Sequence, residues 1–102
     1  MRDRSVEGPV GRGVVDMRPR FAYFYFMSGD PGRVRATAPR HVAHWRGLGL
    51  NDYLGGPFED RTGGLITFSA ADVMEAQRAV ETDPFVVDGL VGPSWLKHWV
   101  PE

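Results

Sequence analysis

Not one of the 102 residues is a cysteine, and that absence removes disulfides, thiolate nucleophiles and cysteine-ligated zinc or iron–sulfur centres from consideration. There is no excess charge of either sign: 12 Lys and Arg stand against 13 Asp and Glu, a net of −1. Nucleic acids and anionic membranes are recognised largely through clustered basic residues, so neither is expected as a partner. No apolar run approaches the roughly 20 residues a membrane helix needs. Met1–Arg20 has no apolar stretch of the kind that drives secretion. A cytoplasmic protein is the expectation. Phosphate-binding signatures are missing too, since Gly55-Gly56 and Gly63-Gly64 do not lead from a strand into a helix within a GxGxxG or Walker pattern. Neither a nucleotide nor any other cofactor is expected.

What the chain does contain is enough apolar residue for one core and too little length for two. Residues 1–19 hold three glycines, two prolines and no periodic apolar face, and read as a tail outside a domain of residues 20–102; Met17 is a possible start. From Phe21 to Met27 every residue is apolar or aromatic. A strand with one wet face alternates, so this one is expected to be covered on both sides. Ser28–Gly32 reads as a loop. Thr37-Ala38-Pro39 reads as a helix start, because proline is tolerated in a first turn. That helix is expected to carry Ala38, Val42, Trp45 and Leu48 on one stripe and to end at Gly47 and Gly49.

Tyr53–Phe58 follows as a short extended piece, confined to an edge or bend by Gly56-Pro57. Gly64–Phe68 is a second strand. Ser69–Asp72 resembles a capping box before a helix that turns Val73, Ala76, Gln77 and Val80 inward and stops before Pro84. Residues 85–90 make one irregular turn, and Trp95–Val100 is the last strand. The order βαββαβ is that of an α+β, ferredoxin-like fold with a four-stranded antiparallel sheet. Two helices cover one face of such a sheet. Phe21–Met27 needs cover on both, which points to a homodimer joined sheet to sheet.

The ordered series Pro39-x-His41-x-x-x-Trp45, Gly56-Pro57-Phe58, Gly64–Phe68 and Asp83-Pro84-Phe85 resembles the YCII-related family over Phe21 to Pro101. The resemblance implies a ferredoxin-like domain paired into a dimeric α+β barrel, and a catalytic dyad that falls on His41 and Asp83. Some relatives in that family are credited with dehydrochlorinase chemistry. One position departs: where the family often has an arginine three residues before its histidine, this chain has Ala38.

Taken as residues alone, His41 in the first turn of its helix would be kept neutral by the helix dipole, and a carboxylate beside it would orient one ring nitrogen. Asp83 could be that carboxylate, or merely the cap and turn former that Asp before Pro commonly is. His44 lies on the same helix face; it could begin a metal site, but no HExxH pattern or cysteine accompanies it, and a surface or interface role and no metal are expected. His98 is read as lining an interior or interface. Tyr23, Tyr25, Pro57, Phe58 and Phe85 are the candidate substrate contacts, for a small aromatic or cyclic molecule. Three functions stay open: a cofactor-independent enzyme using His41 and Asp83 for elimination or isomerisation, a non-catalytic dimeric ligand-binding or interaction module, and a cofactor-free monooxygenase of the same barrel type.

Overall fold

The computed structural model describes residues 18–102; the expectations for the tail and for Met17 lie in residues 1–17, outside them. The elements are β1 (Arg20–Met27), α1 (Pro31–Gly47), β2 (Leu54–Pro57), β3 (Gly63–Ser69), α2 (Val73–Glu81), α3 (Pro84–Val87) and β4 (Val91–Trp99). The strands form one antiparallel sheet in the order β2-β3-β1-β4. This is the ferredoxin-like arrangement. The short β2, with its Gly-Gly-Pro, is an edge strand, where a missing proline N–H costs no ladder bond.

Strand alternation divides β1 between two environments. Phe21, Tyr23 and Tyr25 are buried beneath the helices with Ile66 and Phe68 of β3, Trp45 of α1, Ala76 and Ala79 of α2, and Phe85. Phe24 and Phe26 point the other way. There Phe24 stacks on Trp95 at 5.1 Å, and Phe26 meets Phe58 and Trp95 at 5.8 and 6.2 Å. No element among the described residues covers that second face: Phe26, Leu65, Trp95 and Trp99 are each about two-fifths exposed and Leu54 is 74% exposed.

Three local expectations are corrected. Helix α1 begins at Pro31, not near Thr37, because Asp30 caps it by accepting from the Arg33 N–H at 3.0 Å and Pro31 takes the first helical position. Pro39 therefore lies inside the helix. The buried stripe is Thr37, His41 and Trp45, four residues apart, while Val42 and Leu48 are exposed. On α2 the cap is Asp72, which accepts from the Glu75 N–H at 2.8 Å while the Glu75 side chain accepts from the Ala71 N–H at 2.7 Å. This moves the capping box three residues along and turns Ala76 and Ala79 inward, leaving Val73 and Gln77 exposed. The final strand also starts earlier, at Val91.

Between β2 and β3, Asp60 Oδ1 accepts from the Thr62 N–H at 3.0 Å and from its hydroxyl at 2.7 Å, bonds that hold its carboxyl below the usual range. This turn delivers Gly63 and Gly64 flush against β1. A Cβ on Gly63 would run into the Tyr25 carbonyl oxygen, and one on Gly64 would lie 2.5 Å from the Tyr25 hydroxyl. Glycine here makes room for a tyrosine.

Candidate active site

Helix α1 and the short α3 meet over the middle of the sheet, and their meeting point is Asp83. Like Asp30 ahead of α1, Asp83 precedes a proline and caps the following helix, accepting from the Phe85 N–H at 2.9 Å through Oδ1. Its carboxylate does more than cap. His41 Nδ1 lies 2.9 and 2.8 Å from its two oxygens, and the Trp45 indole N–H donates to Oδ2 at 2.9 Å. Asp83 is fully buried. A carboxylate removed from water is tolerable only with its lone pairs matched, and here three donors converge on it. His41 and Trp45 reach it together because four residues along a helix is one turn on the same face.

An ionised carboxylate only accepts. The imidazole therefore carries a hydrogen on Nδ1, and in its neutral form Nε2 presents a lone pair. The Tyr25 hydroxyl lies 3.3 Å from Nε2 and donates to it when the imidazole is neutral. A chain of hydrogen bonds thus runs from Asp83 through His41 to Tyr25, in surroundings where His41 is only 8% exposed. Phe85 stacks on the imidazole at 4.3 Å and 24°, fixing the plane of the ring. The Tyr25 hydroxyl ionises well above its ordinary value, first because it is buried and then because Asp83 is negative. Tyr23, stacked on Tyr25 at 5.0 Å, is shifted in the same direction for the same two leading reasons.

Of the residues singled out from sequence, His41, Asp83, Tyr23, Tyr25 and Phe85 gather at this one place. Pro57 and Phe58 do not join them. Pro57 sits level with Gly64 and Tyr25 in the register but is exposed at the sheet edge. Phe58 packs on Phe26, on the opposite side of the sheet. His41 lies in the third turn of α1, not the first, so the helix-dipole argument does not apply to it. His44 donates from Nε2 to the Ala79 carbonyl at 2.8 Å and ties α1 to α2. His98 is exposed on the edge strand β4, its ring 5.5 Å from Phe21, rather than interior. Among the described residues no group of three or more His, Asp or Glu is placed to hold a metal ion. An open groove of about 240 Å³ between α2 and β4 is lined by Val73, Gln77, Val80, Glu81 and Leu96, away from the dyad.

Sequence reasoning missed two contributors. Trp45 has the spacing of an ordinary core residue, and only its indole nitrogen shows that it serves Asp83. Gly64 reads from sequence as the start of a strand and not as a phosphate loop, whereas it also admits the Tyr25 hydroxyl. No residue signal identifies that contact, because it depends on the register of β1 on β3.

No family model matches the chain, and no curated protein matches it. Solved structures do. A 5-chloro-2-hydroxyhydroquinone dehydrochlorinase from Burkholderia phenoliruptrix AC1100, in complex with 2,5-dihydroxybenzoquinone, superposes with a TM-score of 0.63 at 23% identity, covering 79% of this chain and 93% of that one. A Bacteroides thetaiotaomicron protein assigned by name to antibiotic biosynthesis monooxygenases gives 0.59 at 15% identity, over 81% and 88% of the two chains. PA3566 from Pseudomonas aeruginosa gives 0.58 at 13% identity, over 88% and 99%. These likenesses show the fold, a ferredoxin-like α+β domain. No helix among the described residues is long and apolar enough to cross a membrane.

Proposed function

We propose that this protein is a small cofactor-independent enzyme of the YCII-related type, in which His41 and Asp83 carry out general acid–base chemistry on a small cyclic organic substrate. The observation that supports this most directly is the buried hydrogen-bonded pair: Nδ1 lies 2.8 Å from a fully buried carboxylate, which leaves Nε2 of a neutral imidazole as the basic atom. A buried pair is a poor source of stability compared with apolar packing, so its presence is more readily understood as chemistry. Asp83 orients the ring and balances the charge that forms when Nε2 is protonated. In this reading the Tyr25 hydroxyl, hydrogen-bonded to Nε2, is the relay between the imidazole and the substrate. A substrate proton reaches the imidazole through that hydroxyl, which passes its own hydrogen to Nε2 as it receives the substrate's. No free tyrosinate accumulates, in keeping with its raised ionisation.

Proton removal from carbon followed by loss of a leaving group is elimination; return of the proton to a different carbon is isomerisation. The structural neighbour named as a dehydrochlorinase, with a hydroxylated quinone bound, supports elimination from a ring of that kind. We propose also that the enzyme works as a homodimer, with a second copy covering the outer sheet face that Phe26, Leu65, Trp95 and Trp99 present.

The test is hydrogen exchange. Hydroxyquinols and cyclic ketones, chlorinated and not, are incubated with protein in D2O and followed by proton NMR, with chloride release measured in parallel. Exchange or chloride release is expected from the wild type, falling roughly 10²–10⁴-fold in His41→Ala and Asp83→Asn. Equal rates in wild type and both variants would remove the dyad from catalysis and leave a ligand-binding module. Oxygen consumption in the same mixtures, unaffected by His41→Ala, would favour a monooxygenase instead.

A further inference from the structure

Beside the dyad lies one buried polar atom with nothing to bond. The Tyr23 hydroxyl has no hydrogen-bond partner among the described residues, although the residue is only 1% exposed. Buried hydroxyls are nearly always matched, and an unmatched one lowers the stability of the fold that contains it. Tyr23 cannot swing out to find a partner. Its ring is stacked between Tyr25, at 5.0 Å and 22°, and Trp45, at 6.1 Å and 24°. Trp45 is in turn held by its bond to Asp83.

Tyr23 and Tyr25 are two residues apart on β1 and share the face that His41 overlies. Tyr25 is committed to Nε2; Tyr23 is not committed. Burial and the negative charge of Asp83 keep the Tyr23 hydroxyl protonated at neutral pH, so it is a donor awaiting an acceptor. The site offers little to a carboxylate or phosphate. Asp83 is itself negative, position 38 is alanine, and Arg40 is held by Asp88 at 2.9 Å.

We propose that Tyr23 is a catalytic hydrogen-bond donor to the substrate's developing oxyanion, and that the substrate is a neutral carbonyl compound, or the keto form of a quinol, with an acidic C–H beside the carbonyl. This rests on the acid–base reading of His41 and Asp83. In the step, the C–H bond breaks and its hydrogen passes to the Tyr25 oxygen as the Tyr25 hydrogen passes to Nε2. The electron pair left on carbon moves into the carbonyl, whose oxygen becomes an enolate held by the Tyr23 O–H. A leaving group then departs with its electron pair, or the proton returns to another carbon. A pre-placed, desolvated donor stabilises such an oxyanion without reorganising as the charge develops.

The inference is tested with Tyr23→Phe, set beside wild type and His41→Ala, using cyclohexane-1,4-dione, a neutral ring with acidic C–H bonds beside its carbonyls, as the probe. Without ligand, Tyr23→Phe is expected to melt a few degrees higher than wild type, because an unmatched hydroxyl has gone and the ring stacking is kept. Its Kd for the probe, read by calorimetry, is expected to rise about tenfold, one good hydrogen bond. A lower melting temperature would show that the hydroxyl serves the fold, and equal Kd values would show that it touches no ligand; either result overturns the inference. Failure of wild type to bind the probe overturns the substrate class. Loss of D2O exchange in His41→Ala with full exchange in Tyr23→Phe would retain the dyad and overturn the donor. Unchanged exchange in His41→Ala would overturn the dyad reading, and with it the step drawn here.

Discussion

At the scale of single residues, the chain gives its buried polar groups unequal treatment. Asp83 is surrounded by donors, while the Tyr23 hydroxyl, a ring away, has no hydrogen-bond partner among the described residues. Both tyrosines over the dyad share a measurable consequence. Each ionises above its ordinary value of 10.0 in the folded protein, first through burial and then through Asp83. Below pH 10 the hydroxyls are protonated in folded and unfolded chains alike. Above it, the unfolded chain loses those protons and the folded one retains them, so stability falls with rising pH. Denaturant unfolding between pH 8 and 11 should show the midpoint dropping once pH passes about 10, with a shallower fall in Tyr23→Phe. Tyrosinate absorbance from Tyr23 and Tyr25 should appear only as the protein unfolds. A fully folded protein showing the absorbance of three ionised tyrosines near pH 10 would contradict the burial argument.

Among the elements, α1 is where reading from sequence and reading from structure part company, and the reason is physical. Two prolines in that region each satisfy the rule that proline suits a first turn, and only the cap distinguishes them. Asp30 before Pro31 supplies the acceptor; Thr37 does not cap Pro39. An interior Pro39 has no N–H for the Arg35 carbonyl and crowds that turn. Pro39→Ala should therefore stabilise the protein by about 1–3 kcal/mol in denaturant unfolding. A neutral outcome would restore the later helix start. Elsewhere the local signals agreed with the fold: Phe21–Met27 and Gly64–Phe68 became the central strands, and Gly56-Pro57 marked the edge. The meeting of His41 with Asp83 was not legible from the residues themselves. Forty-two positions separate them, and each looked locally like a cap or a helix-surface residue. A family resemblance drew attention to the pair, and the packing of α1 on α3 brings the side chains together. Trp45 was legible as core but not as a donor, since spacing reports which face a side chain occupies and not which of its atoms is used.

For the molecule as a whole, the unsolved question in one copy is the outer sheet face. Its aromatic ladder is too continuous to be scattered surface residues: Trp95 stacks on Phe24, Phe26 packs against both Trp95 and Phe58, and Leu54 and Leu65 flank them. Exposed apolar patches of that extent mark interfaces. Burying such side chains is worth about 1.5–3 kcal/mol each before association costs, so a handful suffices for a stable pair. The near-zero net charge opposes self-association little. A homodimer should sediment at twice 11.4 kDa at micromolar concentration. Trp95→Asp places an unpaired charge against Phe24 and Phe26 on that face without touching the helix side, where Tyr23 and His41 lie. That variant should sediment as a monomer while keeping its far-ultraviolet circular dichroism. A wild-type chain that remains monomeric and well folded at micromolar concentration would show that this face meets water or a different protein. In that case its aromatic side chains stabilise the sheet by packing against one another, and the acid–base site under α1 must work within a single copy.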